Sequence, residues 1–454
     1  MAGNETVDLC IVLDEVIKGY TVCEKIDEGN FGQVFIVSKN KQRYAMKVEP
    51  NRLDGGPSSI KVEIEIMAEL QTRKVKFVPG YIEGGKALKF HYIVMELLND
   101  NLKKLRMKCP DPTTCTPGTW SRIGIQCLYV LKSLHDTGYV HRDLKPANFA
   151  MGPSDSVDSR VLHVLDFGIS RKFVKPKEIV AGNSSRKAMT NLEFRLARRK
   201  TQGFKGTPIY ASLNAHAYMD LGRVDDVWSL IYMIAEMVKP LSWGHLEDTE
   251  LVEAKKAATL KELFNNIEGF EAVEKMLRRN NYYTCPDYDL VFNTFRAVYS
   301  KSGCSWMDPY DWETKQLVSY QKWKILADAR TTLFPWEYSD VSAFFQKDVW
   351  KPLMLPIFKP EEEKLTEKKK KTQRGSKKGK LAEKGKGKGK SEDENVHTAD
   401  SIDKEKDPKT TESKCKDKTP ESRKKVKDTN AVMEKDKEKE KKVSKKNIKK
   451  TNAK

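Results

Sequence analysis

The distribution of aromatic residues constrains this chain more than any other feature. Its 17 Phe, 16 Tyr and 8 Trp all lie before position 361. The remainder reads KKKKTQRGSKKGK, then EKGKGKGK, then mixed Lys and Glu. Such a segment cannot bury enough apolar surface to offset its chain entropy, so residues 359–454 are expected to form a disordered tail. Charge divides at the same place. Of a formal net charge of +19, residues 361–454 supply +13, from 33 Lys/Arg against 20 Asp/Glu. The body of the chain is only mildly basic, and it is long enough for a large core and, by length alone, for two or three domains.

Several classes drop out. No run of 18 apolar residues exists, so a transmembrane helix is not expected. The start, MAGNETVDLC, has neither a basic nor an apolar signal region, residue 2 is Ala, and the end TNAK is no prenylation box. Eight Cys are scattered without a C-x-x-C pair, which disfavours a zinc ribbon. Free, reduced thiols in an intracellular protein are the expectation.

Alternation around Gly29-Asn30-Phe31-Gly32 predicts a hairpin from Thr21 to Val37, and Arg43–Val48 predicts a further strand. Ser58 is placed to cap a helix with apolar positions Ile60, Ile64, Met67 and Leu70. Leu88–Leu98 is apolar and β-prone. Helices then dominate, one with Ile123, Cys127, Val130, Leu131 and Leu134 on a face, another over Val227–Val238. Short strands are predicted at Phe149–Met151 and Val161–Leu165. Residues 316–358 form an aromatic extension, with Tyr320, Trp323, Phe334, Trp336, Tyr338, Phe344, Phe345, Trp350 and Phe358. A free linker would leave these rings in water, so we expect the extension to pack on the domain; a partner-docking surface is the alternative.

The chemistry concentrates in His141-Arg142-Asp143-Leu144-Lys145-Pro146-Ala147-Asn148, which matches the pattern H-R-D-L-x-x-x-N. A carboxylate at Asp143 can orient and deprotonate an attacking hydroxyl. Lys145 can offset phosphoryl charge, and Asn148 can hold a metal ion. Asp166-Phe167-Gly168 follows a predicted strand and supplies a second metal-binding group. Upstream, Lys47 lies on a strand with Glu63 on the following helix as its partner. The glycine-loop pattern G-x-G-x-x-G-x-V maps onto Asp27 to Val34, with Gly29, Gly32 and Val34 in place and Asp27 where the first glycine would stand. Two carboxylates, Asp27 and Glu28, beside the phosphate approach predict weakened nucleotide binding rather than its loss.

This ordered set resembles the protein kinases. Lys205–His216, Asn148–Gly152, Gly222–Leu230 and Asp308–Glu313 are most similar to the casein kinase 1 group and, within it, to tau-tubulin kinases. The resemblance covers roughly residues 18–315. It implies an α+β, two-lobed protein kinase fold, with a small β-rich lobe carrying one main helix and a large helical lobe. It implies ATP and Mg²⁺ as cofactors and Ser/Thr phosphorylation of protein substrates. It assigns catalysis to Asp143 and Lys145 and the metal to Asn148 and Asp166. Nucleotide contacts fall to Ile26, Gly29, Phe31, Gly32, Val34, Ala45, Lys47 and Glu63, with Met95 as gatekeeper and Glu96 to Leu98 as hinge. Asp226 is expected to bind the catalytic-loop backbone as a structural residue. Where the family carries an Arg that holds a substrate phosphate, this chain has Ile209, which puts a preference for primed substrates in doubt.

Alternatives stay open beside the catalytic reading: a weak pseudokinase scaffold on account of Asp27, or a protein acting through its tail. The run Arg186, Lys187, Arg195, Arg198, Arg199 and Lys200 either favours acidic substrates or docks a phosphate, or is a solvated, mobile loop. The tail's basic residues are nearly all Lys, without aromatic stacking platforms. That predicts low-specificity, salt-sensitive attraction to tubulin tails, nucleic acid or anionic membrane, or else no partner. We expect a monomer in the cytoplasm, with the nucleus as a second location because Lys clusters also read as import signals.

Overall fold

The computed structural model describes residues 10–29, 32–51, 58–154, 156–176, 192–198, 200, 201, 203–313, 317–328, 335–337 and 340–351. Six strands form an antiparallel sheet: β1 (Val16–Ile17), β2 (Tyr20–Gly29), β3 (Gly32–Lys39), β4 (Gln42–Pro50), β5 (Tyr81–Lys86) and β6 (Phe90–Glu96), in the order β1-β2-β3-β4-β6-β5. Helix α1 (Ser59–Thr72) separates β4 from β5. The hairpin β2–β3 closes with Gly29 opposite Gly32, and register shifts at Val22/Glu24 and Lys25/Asp27 bend β2. One apolar face of the sheet buries Val22, Phe35, Val37, Met46, Val48 and Val94 together.

Ser58 is the N-cap residue of α1, but its side chain does not cap the helix. That work falls to Glu49 at the end of β4. Its carboxylate accepts hydrogen bonds from the Ser59 and Ile60 backbone N–H groups (3.1 and 2.9 Å) and from both the Ser58 and Ser59 hydroxyls. An anion at a helix N-terminus meets both the open N–H groups and the positive end of the dipole.

The larger lobe is helical. It comprises α2 (Leu102–Arg106), α3 (Pro117–His135), α4 (Leu213–His216), α5 (Arg223–Val238), α6 (Asp248–Ala257), α7 (Leu260–Leu263), α8 (Phe270–Arg279) and α9 (Tyr288–Ser302). Helix α3 starts with a side-chain cap from Thr116 and Pro117 in the first turn, and nearly its whole circumference is buried. Gly124 lets the Phe295 ring of α9 approach, since a Cβ there would stand 3.1 Å from it. Short antiparallel pairs carry the motif loops: β7 (Tyr139–Val140), β8 (Phe149–Met151), β9 (Leu162–Val164), β10 (Arg171–Lys172), β11 (Val174–Pro176) and β12 (Leu192–Phe194). They pair β7 with β10, β8 with β9 and β11 with β12.

Two further helices, α10 (Leu317–Asp328) and α11 (Val341–Gln346), lie in the aromatic extension. Trp323, Trp336 and Phe345 are buried in the core of the helical lobe. Phe344 stacks on Tyr129 of α3 at 4.3 Å, and Phe345 stacks on Phe292 of α9 at 4.7 Å. Phe334, Tyr338 and Phe358 lie outside the described residues, as does the tail expected for 359–454. Among the described residues no helix is long and apolar enough to cross a membrane, and the seven described cysteines are free thiols.

Candidate active site

A cleft of about 460 Å³ opens between the sheet and the helical lobe. Its wall includes Ile26, Val34, Ala45, Lys47, Glu63, Met95, Glu96, Leu98, Asn148 and Asp166. Ten of the positions expected to contact nucleotide or metal are therefore brought together. Gly29 and Gly32 flank the rim as the end of the β2–β3 hairpin. Phe31 lies outside the described residues. Asp143 and Lys145 sit on the loop between β7 and β8, beside the cleft.

At the inner end, Lys47 Nζ donates to Glu63 Oε2 and to Asp166 Oδ1, each at 2.8 Å. β4 delivers the lysine, α1 the glutamate, and the turn after β9 the aspartate. Burial alone would lower the Lys47 pKa; Glu63 and Asp166 override it and raise it above the ordinary value, so the ammonium persists. Burial alone would raise the Asp166 pKa, but Lys47 brings its carboxyl down to about 2. Asp166 has φ of 66°, a left-handed conformation that is costly for a residue with a Cβ. Glu63 is held from its other oxygen by the Phe167 N–H at 3.3 Å, and Phe167 is fully buried.

Asp143 is braced from three directions. Lys145 Nζ donates to its Oδ2 at 2.9 Å, and the Thr207 hydroxyl donates to its Oδ1 at 2.7 Å. Asn148 Nδ2 donates to its backbone carbonyl at 2.9 Å. Beneath this loop, Asp226 of α5 accepts the His141 and Arg142 N–H groups at 2.6 and 2.8 Å. His135 reaches the same carboxylate through Nε2 at 2.9 Å, with Nδ1 2.6 Å from the Tyr288 hydroxyl. Burial lowers the His135 pKa below the ordinary histidine value, against the pull of the Asp226 carboxylate, which as an ionised acceptor takes its bond from an Nε2–H.

Sequence reasoning missed Thr207, Lys104 and Asn101. The last two line the cleft, and Lys104 Nζ donates to the Ile26 carbonyl at 3.1 Å, joining α2 to β2. Nothing in the local sequence around α2 signals that bond. The glycine-loop carboxylates divide. Asp27 lines the cleft, whereas Glu28 is tied to Lys25 at 2.6 Å and to Gln33 at 3.0 Å. Ile209 packs against the core, and its carbonyl accepts the Trp243 indole N–H.

Nucleotide and metal fit this arrangement. Apolar side chains at Ile26, Val34, Ala45 and Met95 suit a planar base, and the charged end suits phosphates. Among the described residues no group of three or more His, Cys, Asp or Glu could hold a metal by itself. An aspartate and an asparagine are the sparse donor set expected for an ion that keeps waters and takes substrate phosphate oxygens.

Comparison with known proteins agrees with this geometry. The family described as protein kinase domain matches residues 20–290. A "putative serine/threonine-protein kinase" of Caenorhabditis elegans is 36% identical over 320 residues, covering 69% of this chain and 86% of the relative. A "putative casein kinase I" of the same organism is 30% identical over 300 residues, covering 63% and 81%. An "inactive tau-tubulin kinase", also from that nematode, is 33% identical over 250 residues, covering 53% and 81%.

Proposed function

The chain belongs to the protein kinase family, and from that premise we propose that it transfers the γ-phosphoryl group of Mg-ATP to Ser/Thr hydroxyls of proteins in the manner of the casein kinase 1 and tau-tubulin kinase group. The observation that carries this reading is the assembled pair of charge clusters: Lys47 closed onto Glu63 and Asp166, and Asp143 held by Thr207 and Lys145. Lys47 is positioned to bind phosphate oxygens, with Glu63 fixing its direction. Asn148 and Asp166 would hold Mg²⁺, which when bound neutralises charge between phosphates. Asp143 orients the substrate hydroxyl and takes its proton as the new O–P bond forms and the bond to ADP breaks. Lys145 offsets charge on the transferring group.

The test is phosphate transfer from Mg-ATP to casein by wild type and by Asp143→Asn. We expect the variant to lose about 10²-fold or more in kcat. Equal activity, or none in either protein, would sink the catalytic reading. Acidic substrates are proposed from the cations of the activation segment, among which Arg195, Arg198 and Lys200 are described. With the apolar Ile209 in the place of an arginine, no requirement for a primed substrate is proposed. Comparing acidic, neutral and pre-phosphorylated peptides by kcat/KM tests both statements.

Asp27 in the cleft wall favours one second reading, a scaffold with weak nucleotide affinity. Calorimetry of wild type and Asp27→Gly separates the two: no Mg-ATP binding by the wild type, restored by the variant, would favour the scaffold.

A further inference from the structure

The matched family region ends at residue 290, yet residues 348–350 reach the back of the catalytic machinery. Trp350 Nε1 donates to the backbone carbonyl of His135 at 2.9 Å. The imidazole of that same His135 holds Asp226, and Asp226 holds the His141 and Arg142 N–H groups of the catalytic loop. The Trp350 ring also meets Phe173 edge-on at 5.7 Å, in the segment that leaves the Asp166 turn. It lies so near Gly138 that a Cβ there would stand 3.3 Å from it.

Two residues earlier, Asp348 Oδ1 accepts from Arg223 Nη1 at 3.2 Å. Arg223 is 2% exposed and lies over the rings of Phe173 and Phe194, at 5.0 and 5.9 Å. It is also the first residue of α5, where the dipole disfavours a cation. Asp348 compensates that buried charge, and Arg223 itself packs the start of α5 against Phe173 and against Phe194 of β12. Asp348 Oδ1 in turn accepts the Trp350 backbone N–H at 3.0 Å, so the two contacts form one unit.

We propose that Asp348–Trp350 is a positioning strap, which from outside the matched family region fixes the catalytic loop through His135 and Asp226 and fixes the activation segment through Phe173 and Arg223. Trp350 and Asp348 touch no substrate; they act through the residues they hold. The inference rests on the kinase reading for its kinetic consequence but not for its structural one.

The test uses the full chain with Trp350→Ala, Trp350→Phe and Asp348→Asn. Hydrogen–deuterium exchange at 139–143 and 171–176 should rise about 10-fold in Trp350→Ala, with β4 and α9 unchanged. Trp350→Phe keeps a ring against Phe173 but loses the donor, so exchange should rise mainly at 139–143. Asp348→Asn should loosen 171–176 and 192–194. In kinetics, Trp350→Ala should lose about 10-fold in kcat at unchanged Mg-ATP affinity by calorimetry. Unchanged exchange at 139–143, exchange raised throughout the chain, or nucleotide affinity falling together with kcat would overturn the strap. A wild type that transfers no phosphate would count against the kinase reading, and the exchange arm would still decide the strap.

Discussion

Gly32 and Gly29 illustrate how much a single backbone position can demand. Gly32 has φ of 122°, and a Cβ there would stand 1.9 Å from the Val48 carbonyl oxygen, a backbone atom that cannot swing away. At Gly29 a Cβ would meet nothing within 4 Å. Gly32→Ala should therefore destabilise the sheet by about 2–4 kcal/mol and weaken nucleotide binding, while Gly29→Ala should stay within about 1 kcal/mol. Urea denaturation with calorimetry of Mg-ATP binding checks both. Asp166 carries a pH signature. Its folded pKa of about 2 lies below the usual aspartate value, so it contributes stability above about pH 4 that is lost as pH falls toward 2. Asp166→Asn should flatten the acid limb of the urea midpoint between pH 4 and 2, and an unchanged limb would refute the assignment.

At the scale of elements, α1 shows what local sequence reading leaves out. Ser58 has the residue type of a cap and stands at the cap position, yet a carboxylate from the preceding strand occupies the helix N-terminus. The bond spans ten residues and depends on the β4–α1 connection, so no helix signal encodes it. Because α1 carries Glu63, loosening its first turn should reach Lys47. We expect Glu49→Ala to cost about 1–2 kcal/mol of stability and to raise the Kd for Mg-ATP several-fold, whereas Ser58→Ala should cost less. Thermal unfolding and calorimetry on both variants measure this. The strands and helices themselves were far more legible. Alternation marked β2 and β3, and the periodic apolar face of α3 marked a buried helix, because those patterns repeat within one element.

For the whole molecule, the described residues make one compact unit, and those of the aromatic extension are part of it. Trp336 is 3% exposed among Phe77, Tyr129 and Trp306, so Trp336→Ala should cost about 3–5 kcal/mol, whereas deleting 361–454 should leave the melting temperature within about 2 °C. Differential scanning calorimetry distinguishes the two outcomes. Residue type and order alone pick out the constellation of the proposed active site: HRDLKPAN, DFG, Lys47 and Glu63. Their spacing reflects what phosphoryl transfer requires of nearby backbone and charge. What braces that constellation emerges only from packing: Thr207 against Asp143, Glu49 on α1, Lys104 on Ile26, and Trp350 on His135. These bonds join residues from 10 to 215 positions apart. Their partners are ordinary residues in ordinary local contexts, and only the packing of distant elements brings donor to acceptor.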